Sequence, residues 1–244
     1  MKAAMNPKIF FLGDIHGQFD HVLKAVDRHR PDAIIFLGDI EAPFPLLELL
    51  APILDKTIVR YIHGNHDTDN DRYYRYLSAG KAGELNLHAR VETVCGIRIA
   101  GLGGIFRGSV WMPPHTPTFD NYDEYVAALR NARPLRERGH ADFLQSEQER
   151  KHRSTIFPDV ADGLAAQSAD VLITHEAPSC HPYGFEIIDD LARAMGVDKA
   201  FHGHHHDRRD YSTNWPTLGF QSHGVGFRGI TDLAGNVILK GTYD

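Results

Sequence analysis

Cysteine is almost absent from this chain of 244 residues: Cys95 and Cys180 stand far apart and form no CxxC pair. That excludes a disulfide framework and a thiolate metal site, and it suits a reducing compartment. Long apolar runs are absent as well. No stretch approaches the roughly 18 residues of a spanning helix, and the opening run Ile9-Phe10-Phe11-Leu12 is too short for a secretory signal, so no membrane span is expected and the expected location is the cytoplasm. Positive charge is not in excess. Lys and Arg number 26 against 32 Asp and Glu, a net charge of −6, which argues against blanketing the phosphates of long nucleic acid. No GxSxG elbow and no Walker loop are found, so neither a serine nucleophile nor a P-loop is on offer. The segment from Gly101 to Gly104 nearly spells GxGxxG, but Phe106 stands where the last glycine belongs and no acidic residue is placed to bind a ribose. A dinucleotide site is excluded.

What remains is an ordinary globular composition, 42% hydrophobic and 24% charged, with an unusual 16 histidines. The length suffices for a substantial core, and the chain reads as one domain over 1–244. Apolar runs at 8–12, 33–37 and 57–62 alternate with helical stretches at 19–30 and 45–54, which predicts a parallel sheet with right-handed crossovers. A strand is expected at 96–100. Residues from about 105 to 168, rich in Pro, Arg and aromatics, read as an insertion with helices near 122–131 and 141–152. Strands resume at 171–174 and 199–202 around a helix at 185–195, and 217–220, 226–231 and 237–240 read as antiparallel strands.

Polar clusters terminate the strands: GDIHG at 13–17, GDIE at 38–41, GNHD at 64–67, His175 after Leu-Ile-Thr, and GHHH at 203–206. Ligands gather beyond the carboxyl ends of such strands. Any one cluster alone reads equally well as a turn or a surface residue. Five in order, each after a strand, do not. Carboxylate, imidazole and amide oxygen without sulfur suit Mn, Fe, Zn, Co or Ni rather than Mg or Cu(I). Charge arithmetic favours two ions, since +4 against the −2 of Asp14 and Asp39 leaves a surplus that attracts hydroxide and an anionic substrate. Two such ions specify phosphoester hydrolysis.

These five blocks resemble those of the calcineurin-like metallophosphoesterases, D-x-H, GD, GNH[DE], H and GHxH, over residues 13–206. The resemblance implies an α/β fold, a four-layer αββα sandwich of two packed mixed sheets flanked by helices, with the site at strand carboxyl ends. It implies a first divalent or trivalent transition metal ion held by Asp14, His16 and His206, a second held by Asn65, His175 and His204, and Asp39 bridging them. A metal-bound hydroxide would be the nucleophile. His66 would steady the phosphoryl oxygens or protonate the leaving group, with Asp67 orienting it. The second block departs from the GDxVDRG of protein phosphatases, since Ala42 stands where an acid is needed, and this argues against a protein substrate.

Farther from the blocks, Arg107, Trp111 and His115 follow the Gly-rich loop and are candidates for the mouth of the site, Arg107 and His115 as substrate-binding residues. His63, His202 and His205 read as bystanders, the Arg set at 130, 133, 136, 138, 150 and 153 as a solvated helix face, and both cysteines as packing residues. The expected activity is a phosphatase acting on a small phosphoester, oligomeric state left open. A phosphodiesterase or nuclease of the same superfamily is the alternative, and a non-catalytic metal-binding scaffold a more distant one.

Overall fold

The computed structural model describes residues 7–132 and 147–244. Among these residues, ten strands form two five-stranded sheets. In the first, β1 (Ile9–Leu12), β2 (Ala33–Phe36) and β3 (Ile58–Tyr61) run parallel, and β9 (Ile230–Asp232) and β10 (Val237–Leu239) extend it antiparallel. In the second, β5 (Ile97–Leu102), β6 (Val171–Thr174), β7 (Lys199–His202) and β8 (Gln221–Gly224) are parallel and β4 (Arg90–Val94) pairs antiparallel at the edge.

Strand alternation builds the layers. Ile9, Phe11, Ile35, Ile173 and Phe201 point between the sheets, while Phe10, Leu12, Ile34 and Phe36 point outward beneath helices. Because both faces are covered, β1, β2 and β6 are buried at every position and read as uninterrupted apolar runs. The helices α1 (Asp20–His29) and α2 (Leu46–Leu50) cover the first sheet through Val22, Val26, Leu46 and Leu50. The helices Pro158–Ala165 and Glu186–Met195 cover the second through Leu164, Ile188, Leu191 and Met195. The expected four layers are present. Across the middle, Phe11 and Phe201 stack with centroids 3.8 Å apart and planes 11° apart.

The connection from β5 to β6 carries the helix Tyr122–Asn131 and a small core of its own, Val110, Tyr125, Val126 and Phe157. Its last helix, Pro158–Ala165, packs on the second sheet and so belongs to the sandwich rather than to an insertion over it. Of the helix expected at 141–152, residues 141–146 lie outside the described residues, as do Arg133, Arg136 and Arg138, and residues 147–151 are helical.

Three expectations are corrected. Strand β4 has no counterpart among the expected strands: only Val94 of its five residues is buried, and a half-exposed edge leaves little apolar signal. Residues expected as a strand at 217–220 instead finish a short helix, Trp215–Leu218, started by Pro216 and stopped by Gly219 at φ 85°. The strand follows at Gln221 and runs parallel beside β7 in the second sheet. Of the expected strand 226–231, the first four residues form a turn against β1 and only Ile230 onward pairs.

Candidate metal centre

Three of the five clusters leave their strands through backbone that a strand cannot adopt. His16, Asp39, Glu41, His204 and His206 all take left-handed backbone, with φ of 41°, 46°, 47°, 70° and 63°. That conformation costs each such residue roughly 1 kcal/mol or more and persists only where neighbours enforce it. Here backbone bonds enforce it: His16 N–H donates to Asp39 O at 3.0 Å and Gly17 N–H to Ile40 O at 2.9 Å. Gly64 meets a second demand. A Cβ there would collide with Asp39 Oδ1 and with the His175 ring, so only glycine lets the third loop close on the second.

The loops converge on two clusters that share one carboxylate. His16, Asp39 and His206 form the first, and Asp39, His175 and His204 the second, with ligand atoms in each within 4.8 Å of one another. In the first, Nε2 of His16 lies 3.2 Å from Nε2 of His206 and 3.9 Å from Asp39 Oδ2. In the second, Nε2 of His175 lies 3.4 Å from Asp39 Oδ2 and 3.2 Å from Asn65 Oδ1. Adjacent ligands around a cation with bonds of about 2.1 Å stand roughly 3.0–3.4 Å apart, and three of these four spacings fall in that range, the 3.9 Å from His16 to Asp39 being wider. The tautomers agree. His175 Nδ1–H donates to Leu37 O at 2.8 Å and His16 Nδ1–H to Glu41 Oε1 at 2.5 Å, leaving each Nε2 lone pair facing the cluster.

Buried atoms without partners supply the test of fit. Asp14 is fully buried, 3.7 Å from His175, and neither of its carboxylate oxygens has a hydrogen-bond partner among the described residues. Asp39 has its Oδ1 fixed by the His66 N–H at 2.8 Å, while its Oδ2 is likewise unpartnered. Unpaired buried carboxylate oxygens are costly unless a cation compensates them. Burial pushes Asp14 up to about 7, offset only in part by His175. At His175 burial disfavours charge, yet Asp39 and Asp14 outweigh it and raise its pKa to about 10. The centre thus demands positive charge. Burial lowers His204 to about 3 and also lowers His206, keeping both neutral as ligands must be. The residues fit transition-metal ions.

His66 stands at the open side, 44% exposed, its ring 5.5 Å from that of His16. Its partner is not Asp67. Asp67 is buried and accepts from Glu41 N–H at 2.7 Å and Gly64 N–H at 2.8 Å, so it ties the second and third loops together. Asp69 takes the orienting place instead, with Oδ2 2.6 Å from His66 Nδ1. Burial works against a charged His66, but the Asp69 bond together with the charges of Asp39, Asp69 and Glu41 outweighs it and raises the pKa. Two further acids escape sequence reasoning. Glu41 orients His16, and Glu176, pushed up to about 7 by burial, approaches within 4.0 Å of His204 Nε2. Glu41 is visible in the sequence as the end of GDIE; Asp69 and Glu176 carry no motif.

Arg107 donates to Thr155 Oγ1 at 3.1 Å and Ser154 Oγ at 3.2 Å, half-buried in the field of Asp69, Glu176 and Asp39. His115 is exposed on a turn, its N–H donating to Met112 O, and it makes no contact with the clusters among the described residues. Trp111 packs edge-on against Phe106, 5.2 Å away, rather than lining a mouth. Away from the centre, His63 accepts from Asn86 Nδ2 at 3.2 Å and His205 stacks on His181 at 3.8 Å. His202 is buried in β7. Of the described arginines, Arg130 and Arg153 are exposed, the first paired with Glu149 and the second over the Tyr122 ring, while Arg150 donates to the carbonyls of Thr68 and Asp69. Cys95 and Cys180 pack against the cores.

Comparison with known proteins agrees with this geometry. A protein of Haemophilus influenzae strain Rd, described as uncharacterized, is 39% identical over 239 residues, covering 95% of this chain and 96% of its own. The crystal structure of TT1561 of Thermus thermophilus superposes with a TM-score of 0.56 at 13% identity, over 97% of this chain and 99% of that one, a likeness of fold. The profile of the calcineurin-like phosphoesterases matches residues 7–208, spanning every loop of the two clusters, and the chain belongs to that family.

Proposed function

We propose that this protein is a dinuclear metal-dependent phosphatase acting on small phosphate esters. Family membership supports metal-dependent phosphoester hydrolysis in general. The observation that carries the dinuclear reading is Asp39, the carboxylate common to both histidine clusters, whose free Oδ2 faces the Nε2 atoms of His16 and His175. Asp14, His16 and His206 would hold one ion with Asp39; Asn65, His175 and His204 would hold the other. Bound there, the ions would make water nucleophilic near neutral pH and offset the charge of a phosphoryl group.

The chain's own groups do the rest. His66, exposed beside the first cluster and fixed through Nδ1 by Asp69, presents Nε2 to the substrate and protonates the leaving oxygen. Arg107, anchored by two hydroxyls, adds a guanidinium for a phosphate oxygen. The net charge of −6 disfavours long polyanions and supports a small substrate. The test is hydrolysis of nitrophenyl phosphate against bis(nitrophenyl) phosphate by Mn-, Fe- or Zn-loaded protein. Faster turnover of the monoester is expected. Preference for the diester would replace the phosphatase with a phosphodiesterase, and no turnover of either with two ions bound would leave a metal-binding scaffold.

A further inference from the structure

One wall of the first cluster is aromatic, and no ligand role explains it. Phe227 lies with its ring 5.3 Å from His16 and 4.7 Å from His206. Tyr243 stacks on Phe227 at 5.3 Å with planes 19° apart, and the Arg228 guanidinium sits 4.5 Å over the same Phe227 ring. The wall is built into the site. Phe227 N–H donates to His206 O at 3.0 Å, Arg228 N–H to Gly13 O at 3.2 Å, and Gly13 N–H to Gly229 O at 3.1 Å, so the turn is hydrogen-bonded directly to two of the ligand loops. Thr242 N–H donates to Phe227 O at 2.8 Å and Gly241 N–H to Asp244 Oδ2 at 2.8 Å, which fixes the Tyr243 plane. Yet Tyr243 remains 67% exposed, and Arg228 Nε is buried with no hydrogen-bond partner among the described residues.

A fixed, exposed tyrosine face, backed by Phe227 and the guanidinium over it, suits a flat ring that stacks. Two ring contacts, 4.7 and 5.3 Å, connect His206 through Phe227 to Tyr243, so the exposed tyrosine belongs to the wall of the first cluster. We propose that Phe227, Arg228 and Tyr243 form a nucleobase subsite, so that the leaving group of the phosphoester is a nucleoside. This rests on the phosphoesterase reading above. The nucleobase stacks on Tyr243, with Phe227 and the Arg228 guanidinium packed behind that ring.

The test uses the metal-loaded full chain with adenosine monophosphate and with glycerol phosphate, which carries no ring. Tyr243→Ala raises KM for adenosine monophosphate about tenfold, the scale of one base–aromatic stack. It leaves glycerol phosphate unchanged, and Tyr243→Phe behaves as the wild type. Equal effects on both substrates, or none on adenosine monophosphate, overturn the subsite. Wild-type turnover of glycerol phosphate but not of the nucleotide overturns the subsite alone. Turnover of neither overturns the phosphoesterase reading and the subsite with it.

Discussion

His66 and Asp69 form a pair, Nδ1 to Oδ2 at 2.6 Å, within one turn of 3₁₀ helix at the edge of the metal centre. The bond sets the tautomer of His66 and supports its charged form. His66→Ala is expected to keep both ions and lose ~10²–10⁴ in turnover, the range of a general acid. Asp69→Asn is expected to keep the ions and KM while kcat falls by about 10²–10⁴, the range of the general acid that it orients. Steady-state kinetics beside elemental analysis separates the two effects; a raised KM with normal kcat in the Asp69 variant refutes the pairing.

Asp39→Asn removes the charge common to both clusters. Loss of both ions and of activity is expected, read by elemental analysis after gel filtration. Retention of one full equivalent in that variant would show that Asp39 serves one cluster only.

Glu41 bears on one cluster alone, through His16. Removing such an outer partner weakens metal binding by about 10–100-fold. Glu41→Ala is therefore expected to lower affinity for one of the two ions and spare the other in a chelator-competition titration.

Asp67 holds two backbone N–H groups of different loops. Asp67→Asn leaves one of them facing an amide, and a buried unsatisfied donor costs about 1–3 kcal/mol. The urea midpoint of the chelator-treated protein should fall accordingly, a loss of stability where the Asp69 variant shows loss of rate.

His152 is buried, hydrogen-bonds through Nδ1 with Thr155 Oγ1 at 3.1 Å, and has its pKa lowered to about 4, chiefly by burial. The folded state therefore binds the proton less readily than the unfolded chain, whose histidine titrates near 6.5. Stability is intact above pH ~6.5 and falls as the pH drops toward 4, by roughly 3 kcal/mol in all. His152→Phe, measured in urea from pH 7.5 to 4.5 with chelator, should flatten that limb relative to the wild type.

The parallel strands and the loops that follow them are legible in the sequence because both kinds of signal are local. β1, β2 and β6 are buried on two faces and show as apolar runs, and each motif begins where a run stops. Asp69 and Glu176 are not legible. Their roles depend on where the loops lie in space, and an isolated acid looks the same whether it faces solvent or a histidine. Asp67 misleads for the same reason: adjacency in sequence to His66 is not adjacency of side chains, which diverge as the chain enters the short helix. β4 and the segment 217–220 show the complementary limit, an edge strand with one buried residue and a helix decided by Pro216 and Gly219.

Phe11 and Phe201 meet at the middle of the sandwich, and each lies three residues before a site residue, Asp14 in one sheet and His204 in the other. The two rings act as a shim between the half-sites, setting how far apart the opposing loops stand. A thinner side chain at 201 would let the layers slide together and detune the chemistry with every ligand intact. Catalytic power in this architecture is thus heritable through interior residues that never meet a substrate.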